Sequence, residues 1–322
     1  MILAGDVGGT KILLEVGEAR SGRWEPAFSR RYATRDEIGF PDALHEFLDE
    51  WRREGGGGSI EAAAFGVAGP VEGNRVKMTH RPWIIDGDFV SNRFGIPKVR
   101  VANDLGAAAH GIDWVPREEI AQIQPGEPDV REPRVVLGVG TGLGISYRVN
   151  IGGRLHEIPG EGGHANFAPG NAEQMALWTT IYREHGHCSA EDVLCGRGLL
   201  HIWGHISGRG AHVVGAAGFP ESHEISAGAA NGDKVCKASL ELFSDCLGSV
   251  AGDHAISLLA RGGVYLVGGV VAKIAPQIAT ERFRQSFCAK GMHSAILMRI
   301  PVRAVRSERI AVLGAARMAS EL

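Results

Sequence analysis

An aspartate, two glycines and a threonine stand together near the start of the chain. In the stretch LAGDVGGTKILLEV, Asp6 precedes Gly8 and Gly9, and Thr10 follows them between two apolar runs. Glycines can take a positive φ and present bare backbone N–H groups, which bind anions, and the threonine hydroxyl adds a donor. A carboxylate would repel a phosphate here unless a divalent cation stood between them. The stretch indicates a phosphate and Mg²⁺ site, or else a plain tight turn capped by Asp6.

Two later stretches repeat this kind of turn. The first stretch predicts a β-hairpin, because it lacks the GxxxxGK[ST] pattern and a second apolar run follows its glycines. The stretch VVLGVGTGLGISYRV has the same order of strand, glycine-rich turn with Thr141, and strand. The stretch GGVYLVGGVVAK is an apolar run that ends in Gly268 and Gly269, where a ligand can approach the backbone. Together the three stretches predict a nucleotide site.

A carboxylate and an amide follow the apolar run VRVA. Asn103 and Asp104 come at the expected carboxyl end of this strand, which is where α/β proteins bind their ligands. Asp104 is then placed to accept a proton from a hydroxyl group, and Asn103 to hydrogen-bond another. The alternative is that the two residues cap the alanine-rich helix that follows them.

Two further stretches offer groups that suit a polyhydroxylated ligand. Glu161 and His164 lie in the glycine-rich run GEGGH, where a carboxylate can accept two hydrogen bonds from neighbouring hydroxyls and an imidazole can donate or accept one. The alternative is a surface loop without a ligand. In HCSAEDVL, Ser189 predicts a helix N-cap with acids in the first turn, which by itself explains Glu191.

Composition limits the classes of protein. The chain has 322 residues, of which 44% are hydrophobic and 22% charged, as in globular proteins, and a formal net charge of −3 gives no electrostatic case for nucleic acid. Met1 is followed by ILAGDV without a basic segment or a long apolar run, so we expect no signal peptide and no membrane span. Five scattered cysteines without a CxxC pair predict reduced thiols in a cytoplasmic protein.

Apolar periodicity and glycine turns predict the elements that position these residues. Strands are predicted near residues 2–6, 11–17, 24–31, 61–67, 74–78, 98–102, 134–139, 144–150, 154–158 and 263–268. Helices are predicted near 40–53, 87–94, 104–111, 172–184, 196–207, 233–260 and 308–320. The polar, proline-rich run 116–133 is predicted to be a connection, and 208–222 an irregular loop.

The order of two phosphate hairpins and a GG adenosine loop resembles the actin–hexokinase–Hsp70 ATPase superfamily, over nearly the whole chain. Within it, four motifs resemble the bacterial glucokinases of the non-ROK branch. These are FGVAGPVEGNRVKMT (65–79), VANDLGAAA (101–109), PGEGGHANFAP (159–169) and SAEDVLCGRGL (189–199). The resemblance implies a two-lobed α/β fold of the ribonuclease H-like, actin-like type with a nucleotide and sugar cleft between the lobes. It implies a small domain of residues 1–112 plus about 305–322, on which the last helix packs, and a large domain of residues 113–304.

The resemblance also implies a reaction and its residues. The reaction is the ATP-dependent phosphorylation of D-glucose at its 6-hydroxyl, with Asp104 as general base and Asp6 nearest to the Mg²⁺ that accompanies ATP. The implied hexose ligands are Asn103, Asp104, Glu161, His164 and Glu191. The implied ATP-binding residues are Gly5, Asp6, Val7, Gly8, Gly9, Thr10, Gly140, Thr141, Gly142, Gly268 and Gly269.

One departure from the family leaves the sugar open. The family has an asparagine after the threonine of MTN, whereas this chain reads MTHRPW with His80 at that position. A kinase for mannose, fructose or glucosamine is therefore an alternative. A non-sugar ATPase of the same fold is a second alternative, which the sugar-type motifs disfavour. A sugar-sensing regulator is a third, disfavoured because the first hairpin begins almost at Met1.

The sequence gives weaker support for two further features, a zinc site and a homodimer. His185, His187 and Cys188 in HGHC are candidate zinc ligands, but no second CxxC or HxxxH pair supports them, and the chain lacks the cysteine-rich zinc motif of the ROK kinases. We predict a homodimer, for which exposed apolar surface on the last helix would provide an interface.

Overall fold

The computed structural model describes residues 1–34, 38–79, 81–211 and 218–322. Its strands are β1 (Ile2–Val7), β2 (Lys11–Arg20), β3 (Arg23–Ala33), β4 (Ala62–Val67), β5 (Val71–Glu72), β6 (Arg75–Lys77), β7 (Ile84–Asp86), β8 (Lys98–Asn103), β9 (Ile120–Gln124), β10 (Arg134–Val139), β11 (Leu143–Ile151), β12 (Arg154–Gly160), β13 (Val264–Val267) and β14 (Val302–Val305). Its helices are α1 (Phe40–Arg53), α2 (Gly87–Phe94), α3 (Asp104–Gly111), α4 (Ala172–His185), α5 (Ala190–Val193), α6 (Gly196–Ile206), α7 (Ser222–Ala230), α8 (Lys234–Leu258), α9 (Gly269–Ile278), α10 (Glu281–Cys288), α11 (Ser294–Leu297) and α12 (Ile310–Ser320).

Contacts between residues divide the chain into two units. Unit 1 consists of Met1–Pro116 and Ser307–Leu322, and unit 2 of Arg117–Arg306. Each unit has its own apolar core, built around Phe47 and Phe65 in unit 1 and around Leu137 and Phe243 in unit 2. Because each core is closed by its own helices and strands, each unit can hold its site residues in fixed positions.

The main sheet of unit 1 joins an antiparallel meander to parallel strands. Its order is β3-β2-β1-β4-β8, with β1–β2–β3 antiparallel and β1–β4–β8 parallel. The sequence of β4, AAAFGV, is buried throughout, as expected for a central parallel strand that is covered on both faces. Asp6 and Asn103 lie at the carboxyl ends of these parallel strands, on the same side of the sheet.

The sheet of unit 2 repeats this arrangement. Strands β10, β11 and β12 form the antiparallel meander, and β10, β13 and β14 are parallel. The sixth strand, β9, pairs antiparallel with β14 and corrects the prediction of a connection over 116–133. The short run IAQIQ lies between polar, proline-containing segments, and its partner strand comes about 180 residues later, so local pattern could not reveal the pairing.

Glycines bring α3 and α12 into backbone contact. A Cβ atom built on Gly314 of α12 would overlap the carbonyl oxygen of Ala107, and one built on Gly111 of α3 would overlap the carbonyl oxygen of Ile310. From Ile310 to Ala319, α12 is buried except for Arg317. The prediction that the last helix offers exposed apolar surface is therefore wrong, because this surface is used inside unit 1. The homodimer stays a prediction without that support.

Other predictions about local structure are confirmed. The predicted strands and helices are present within a few residues of their expected bounds, including the long helix α8. Residues 208–211 and 218–221 contain no helix or strand, α7 begins at Ser222, and residues 212–217 lie outside the described ones. All five cysteines are free thiols. Among the described residues, no helix combines the length and apolarity needed to cross a membrane.

The contact between α3 and α12 gives a stability prediction. Gly314→Ala should lower the free energy of unfolding by at least about 2 kcal/mol, because overpacking outweighs the better helix propensity of alanine. Gly57→Ala is the control, since a Cβ atom there meets nothing within 4 Å. Urea unfolding of both variants measures the difference. Equal stability of the two variants would contradict the packing described here.

Candidate active site

Two carboxylates lie at the same edge of the unit 1 sheet. Asp6 of β1 pairs with Gly66 of β4, and Gly66 pairs with Ala102 of β8, directly before Asn103 and Asp104. A Cβ atom on Gly66 would lie 2.7 Å from the Cβ of Ala107 and 3.6 Å from the Cα of Asp104. The missing side chain at Gly66 therefore lets α3 lie against β4 and places Asp104 close to Asp6.

Both carboxylates have a raised pKa, and the proximity of Asp104 contributes to the shift of Asp6. Burial and the negative charge of Asp104 raise the pKa of Asp6 to about 7, although the positive charges of Lys11 and Arg31 act in the opposite direction. Burial also raises the pKa of Asp104, against the effect of a hydrogen bond from the Leu105 backbone. A cation between the carboxylates would relieve their repulsion, and a carboxylate with raised proton affinity suits a general base.

Asn103 caps α3, as the alternative interpretation of the sequence predicted. Its Oδ1 accepts hydrogen bonds from the N–H groups of Leu105 (2.9 Å) and Gly106 (3.4 Å), and its Nδ2 donates to the carbonyl oxygen of Gly69 (3.0 Å). These bonds fix the start of the helix and therefore the position of Asp104, its first residue. The capping role leaves the second N–H of the amide to meet a ligand.

The first glycine turn is a hairpin, as predicted, but its glycines take no left-handed conformation. The turn closes through a hydrogen bond from the N–H of Gly8 to the carbonyl oxygen of Lys11 (2.9 Å). The side chain of Arg81 donates from Nε to the carbonyl oxygen of Gly9 (2.7 Å). A Cβ atom on Gly9 would meet nothing within 4 Å, and Thr10 is exposed, so the turn leaves room for a ligand on its outer side.

Gly5 and Val7 have a packing role. A Cβ atom on Gly5 would lie 2.6 Å from the ring of Phe65 and 2.9 Å from Leu14, and the side chain of Val7 is fully buried. Because successive residues of a strand face opposite sides, the alternation that presents Asp6 at the site directs its two neighbours into the core. Their contact with a nucleotide could come only from the backbone.

In unit 2, the second glycine turn is tied to Glu191. The N–H of Leu143 donates to Oε2 of Glu191 (2.9 Å), and a Cβ atom on Gly142 would lie 2.6 Å from the same oxygen. The turn closes through a bond from the N–H of Gly140 to the carbonyl oxygen of Gly142 (2.9 Å). Thr141 is exposed at its tip. Ser189 caps α5 as predicted, through a capping box with Asp192, and so fixes the helix that carries Glu191.

The GEGGH run packs against the same turn. A Cβ atom on Gly163 would overlap the carbonyl oxygen of Leu143, so the two backbones touch. The side chains of Glu161 and His164 are 85% and 64% exposed, and Oε2 of Glu161 lies 3.9 Å from Nε2 of His164. Leu143 therefore connects this loop to Glu191. The three predicted hexose ligands that belong to unit 2 thus lie in one region of it.

The third glycine stretch also meets the second turn. Gly268 has a φ of +101°, and a Cβ atom on it would lie 2.5 Å from the carbonyl oxygen of Val139, the residue before Gly140. Gly269 is the first residue of α9, and a Cβ atom on it would meet nothing within 4 Å. The strand end thus offers open backbone beside the second turn, which fits the approach of a nucleotide.

Sequence reasoning missed two arginines. Arg81 holds the first turn at Gly9, and Arg197 lies 3.9 Å from Glu191 and 3.3 Å from Asp192. Arg81 is far from Gly9 in the sequence, so no local pattern marks it. Arg197 lies in the first turn of α6. Its short separation from Glu191 in the sequence could have indicated an ion pair between the two side chains. His80 lies outside the described residues.

Metal ligands among the described residues are sparse. No group of three or more histidine, cysteine, aspartate or glutamate side chains is arranged there to hold an ion. Burial and the negative charge of Asp192 raise the pKa of Cys188 to about 12, so the thiol without a metal is protonated at pH 7.

Comparison with known proteins decides between the classes left open by the sequence. The family model for glucokinase matches residues 3–322. The chain belongs to the glucokinase family. It is 31% identical over 344 aligned residues to the glucokinase of Nostoc sp. strain PCC 7120, and the match covers 100% of this chain and 99% of that protein.

Solved structures agree with the glucokinase assignment. A crystal structure of glucokinase from an Antarctic psychrotroph has a TM-score of 0.87 and 26% identity, covering 100% of this chain and 99% of the other. A ROK family glucokinase from Streptomyces griseus in complex with glucose and AMPPNP shares the fold at a TM-score of 0.63 and 22% identity, with 100% and 99% of the chains covered. The predicted actin-like ATPase fold and the hexose kinase class are confirmed.

The contact of Gly142 with Glu191 gives a prediction about this region. Gly142→Ala should displace the Glu191 carboxylate and break its bond with Leu143, so we expect the Leu143 amide proton to exchange at least about tenfold faster. Hydrogen exchange measured by NMR or mass spectrometry tests this. In the control, Gly140→Ala, a Cβ atom meets nothing within 4 Å and exchange at Leu143 should stay near that of the unsubstituted protein. Unchanged exchange in Gly142→Ala would contradict the contact.

Proposed function

We propose that the chain transfers the γ-phosphoryl group of ATP to the 6-hydroxyl of D-glucose in the cytoplasm. The observation that carries the proposal is the partly buried carboxylate of Asp104, which stands at the first position of α3. It lies close enough to Asp6 for its charge to contribute to the raised pKa of Asp6. Membership of the glucokinase family supports the reaction class. The complex of the Streptomyces griseus glucokinase with glucose and AMPPNP supports the pair of substrates.

Asp104 is the general base of the proposed reaction. Its carboxylate accepts the proton of the 6-hydroxyl while the oxygen attacks the γ-phosphorus. The new O–P bond forms as the bond from phosphorus to the β–γ bridging oxygen breaks, and ADP leaves. Because the transition state of phosphoryl transfer is loose, the main task of the base is to orient the hydroxyl and remove its proton. The raised pKa of Asp104 suits this task.

Asp6 and the two glycine turns would hold the charged end of the nucleotide. Mg²⁺, nearest to Asp6, would neutralise charge on the phosphates when bound. The N–H groups and the hydroxyl of the Gly8–Thr10 turn would bind phosphate oxygens from unit 1, as would those of the turn at Gly140–Gly142 from unit 2. Gly268 and Gly269 would adjoin the adenosine. The open space at Gly9, Gly140 and Gly269 supports this assignment.

The hexose would be held by groups with complementary hydrogen-bonding capacity. We assign Asn103, Asp104, Glu161, His164 and Glu191 to its hydroxyls. The carboxylates accept hydrogen bonds from pairs of hydroxyls, whereas the amide and the imidazole can also donate. The exposure of Glu161 and His164 supports the assignment, since the side chains are accessible to a ligand.

Replacement of the base tests the proposal. Asp104→Asn keeps the shape of the side chain and can still hydrogen-bond a hydroxyl, but it cannot take the proton, so kcat should fall by about 10²–10⁴-fold. Glucose binding measured by calorimetry should weaken by less than about tenfold, because the amide still contacts the hydroxyl. Steady-state kinetics with glucose and ATP give the decisive number.

Asp88→Asn is the matched control. Asp88 is an exposed acid in the first turn of α2, in the same unit, and it contacts Asn74. Its replacement should leave kcat unchanged. Wild-type turnover in Asp104→Asn would remove Asp104 from the role of base, and an equal loss in both variants would show a general effect of removing negative charge.

A further inference from the structure

The side chains of Glu161 and His164 do not by themselves fix the loop that carries them. Both are largely exposed, and the contact between them is 3.9 Å long. The loop between Gly160 and His164 contains three glycines, which give its backbone unusual freedom. If these side chains are to meet a sugar in one arrangement, the backbone on either side of Glu161 needs support from elsewhere.

Two rings from other elements provide contacts on both sides of Glu161. A Cβ atom on Gly160 would lie 3.7 Å from Cε2 of Tyr147 on β11. A Cβ atom on Gly162 would lie 3.2 Å from Cε1 of His254 on α8. The space that a side chain would fill at the residue before Glu161, and at the residue after it, is therefore bordered by one ring each, together with Ile145.

A hydrogen bond joins the two rings. The Oη of Tyr147 lies 2.8 Å from Nδ1 of His254, and the ring centroids are 6.0 Å apart. Burial raises the pKa of Tyr147 and lowers that of His254, against the charge of Asp253, so both groups are neutral at pH 7. The hydrogen bond thus joins two neutral groups, and because both are partly buried, water competes weakly for their polar atoms.

We propose that Tyr147 and His254 are positioning residues for the hexose-binding loop. Their hydrogen bond links β11 to α8 and holds the backbone on both sides of Glu161, so that the carboxylate stands ready before sugar arrives. A loop ordered in advance loses less entropy when it binds its ligand. The inference rests on the proposed function, because it assigns Glu161 and His164 to the hexose.

The chain contains a matched bond for comparison. The Oγ1 of Thr180 on α4 lies 2.8 Å from Nδ1 of His205 on α6, and burial lowers the pKa of His205 as it does that of His254. This bond has the same length and also joins a hydroxyl to the Nδ1 atom of a histidine, but it connects two helices on which no predicted hexose ligand lies. It separates a positioning role from a general contribution to stability.

The test compares Tyr147→Phe with Thr180→Val. Tyr147→Phe removes only the hydroxyl and should raise KM for glucose about five- to tenfold, the effect of one lost hydrogen bond. Since Asp104 and the phosphate-binding turns are untouched, kcat and KM for ATP should stay within about twofold. Thr180→Val should leave KM for glucose unchanged even where it lowers Tm.

A second variant protects the test against a folding defect. His254→Phe keeps a flat ring beside Gly162 and removes both nitrogens, and it should raise KM for glucose as Tyr147→Phe does. The double variant should be no worse than either single variant, since both lose the same bond. Wild-type KM for glucose in a folded Tyr147→Phe enzyme would overturn the inference, as would an equal rise in Thr180→Val. Absence of glucose-dependent turnover in the unsubstituted enzyme would overturn the proposed function itself.

Discussion

The position of Asp104 depends on one packing constraint, which is the absence of side chains where α3 meets β4 and where it meets α12. At Gly66 the strand admits the helix, and at Gly111 and Gly314 two helix backbones touch. Asn103 then fixes the first turn of α3 by capping it. Because interiors are close-packed, these contacts allow little displacement of the helix. The carboxylate of Asp104 is therefore held close to Asp6, and burial together with the negative charge of Asp104 raises the pKa of Asp6.

In unit 2, glycines allow a similarly close packing around Leu143. Its carbonyl oxygen touches the backbone at Gly163, and its N–H is bound by Glu191, which occupies the space left by Gly142. The second glycine turn and the proposed hexose ligands of unit 2 thus share one support, so a displacement of the Glu191 carboxylate affects the turn directly. Tyr147 and His254 extend this support to the other side of the loop. Gly111 and Gly314 in unit 1 and Gly163 in unit 2 leave no room for a side chain because another backbone lies against them.

Much of the fold could be predicted from the sequence, because hairpins, strand ends and caps have local signals; the same signals supplied the residues proposed for the site. The turn at Gly8, the cap at Ser189 and the helix after Asp104 were predicted in this way. Strand β9 was missed because its partner is distant in the chain. The packing of the last helix on the first unit was predicted, but periodicity did not show that this packing would bury nearly all of the helix. The contacts of Glu191 with Leu143 and of Arg81 with Gly9 depend on tertiary packing, which no motif encodes.

The central claim is that the chain is a glucose kinase whose turnover depends on the sugar. The most direct measurement is ADP release from Mg-ATP with glucose, mannose, fructose or glucosamine, and without sugar. The account predicts strong turnover with glucose and little without sugar. Preference for another hexose would contradict glucose as the substrate and direct attention to His80 in MTHRPW. Equal turnover without sugar, or none with any sugar, would contradict the account as a whole.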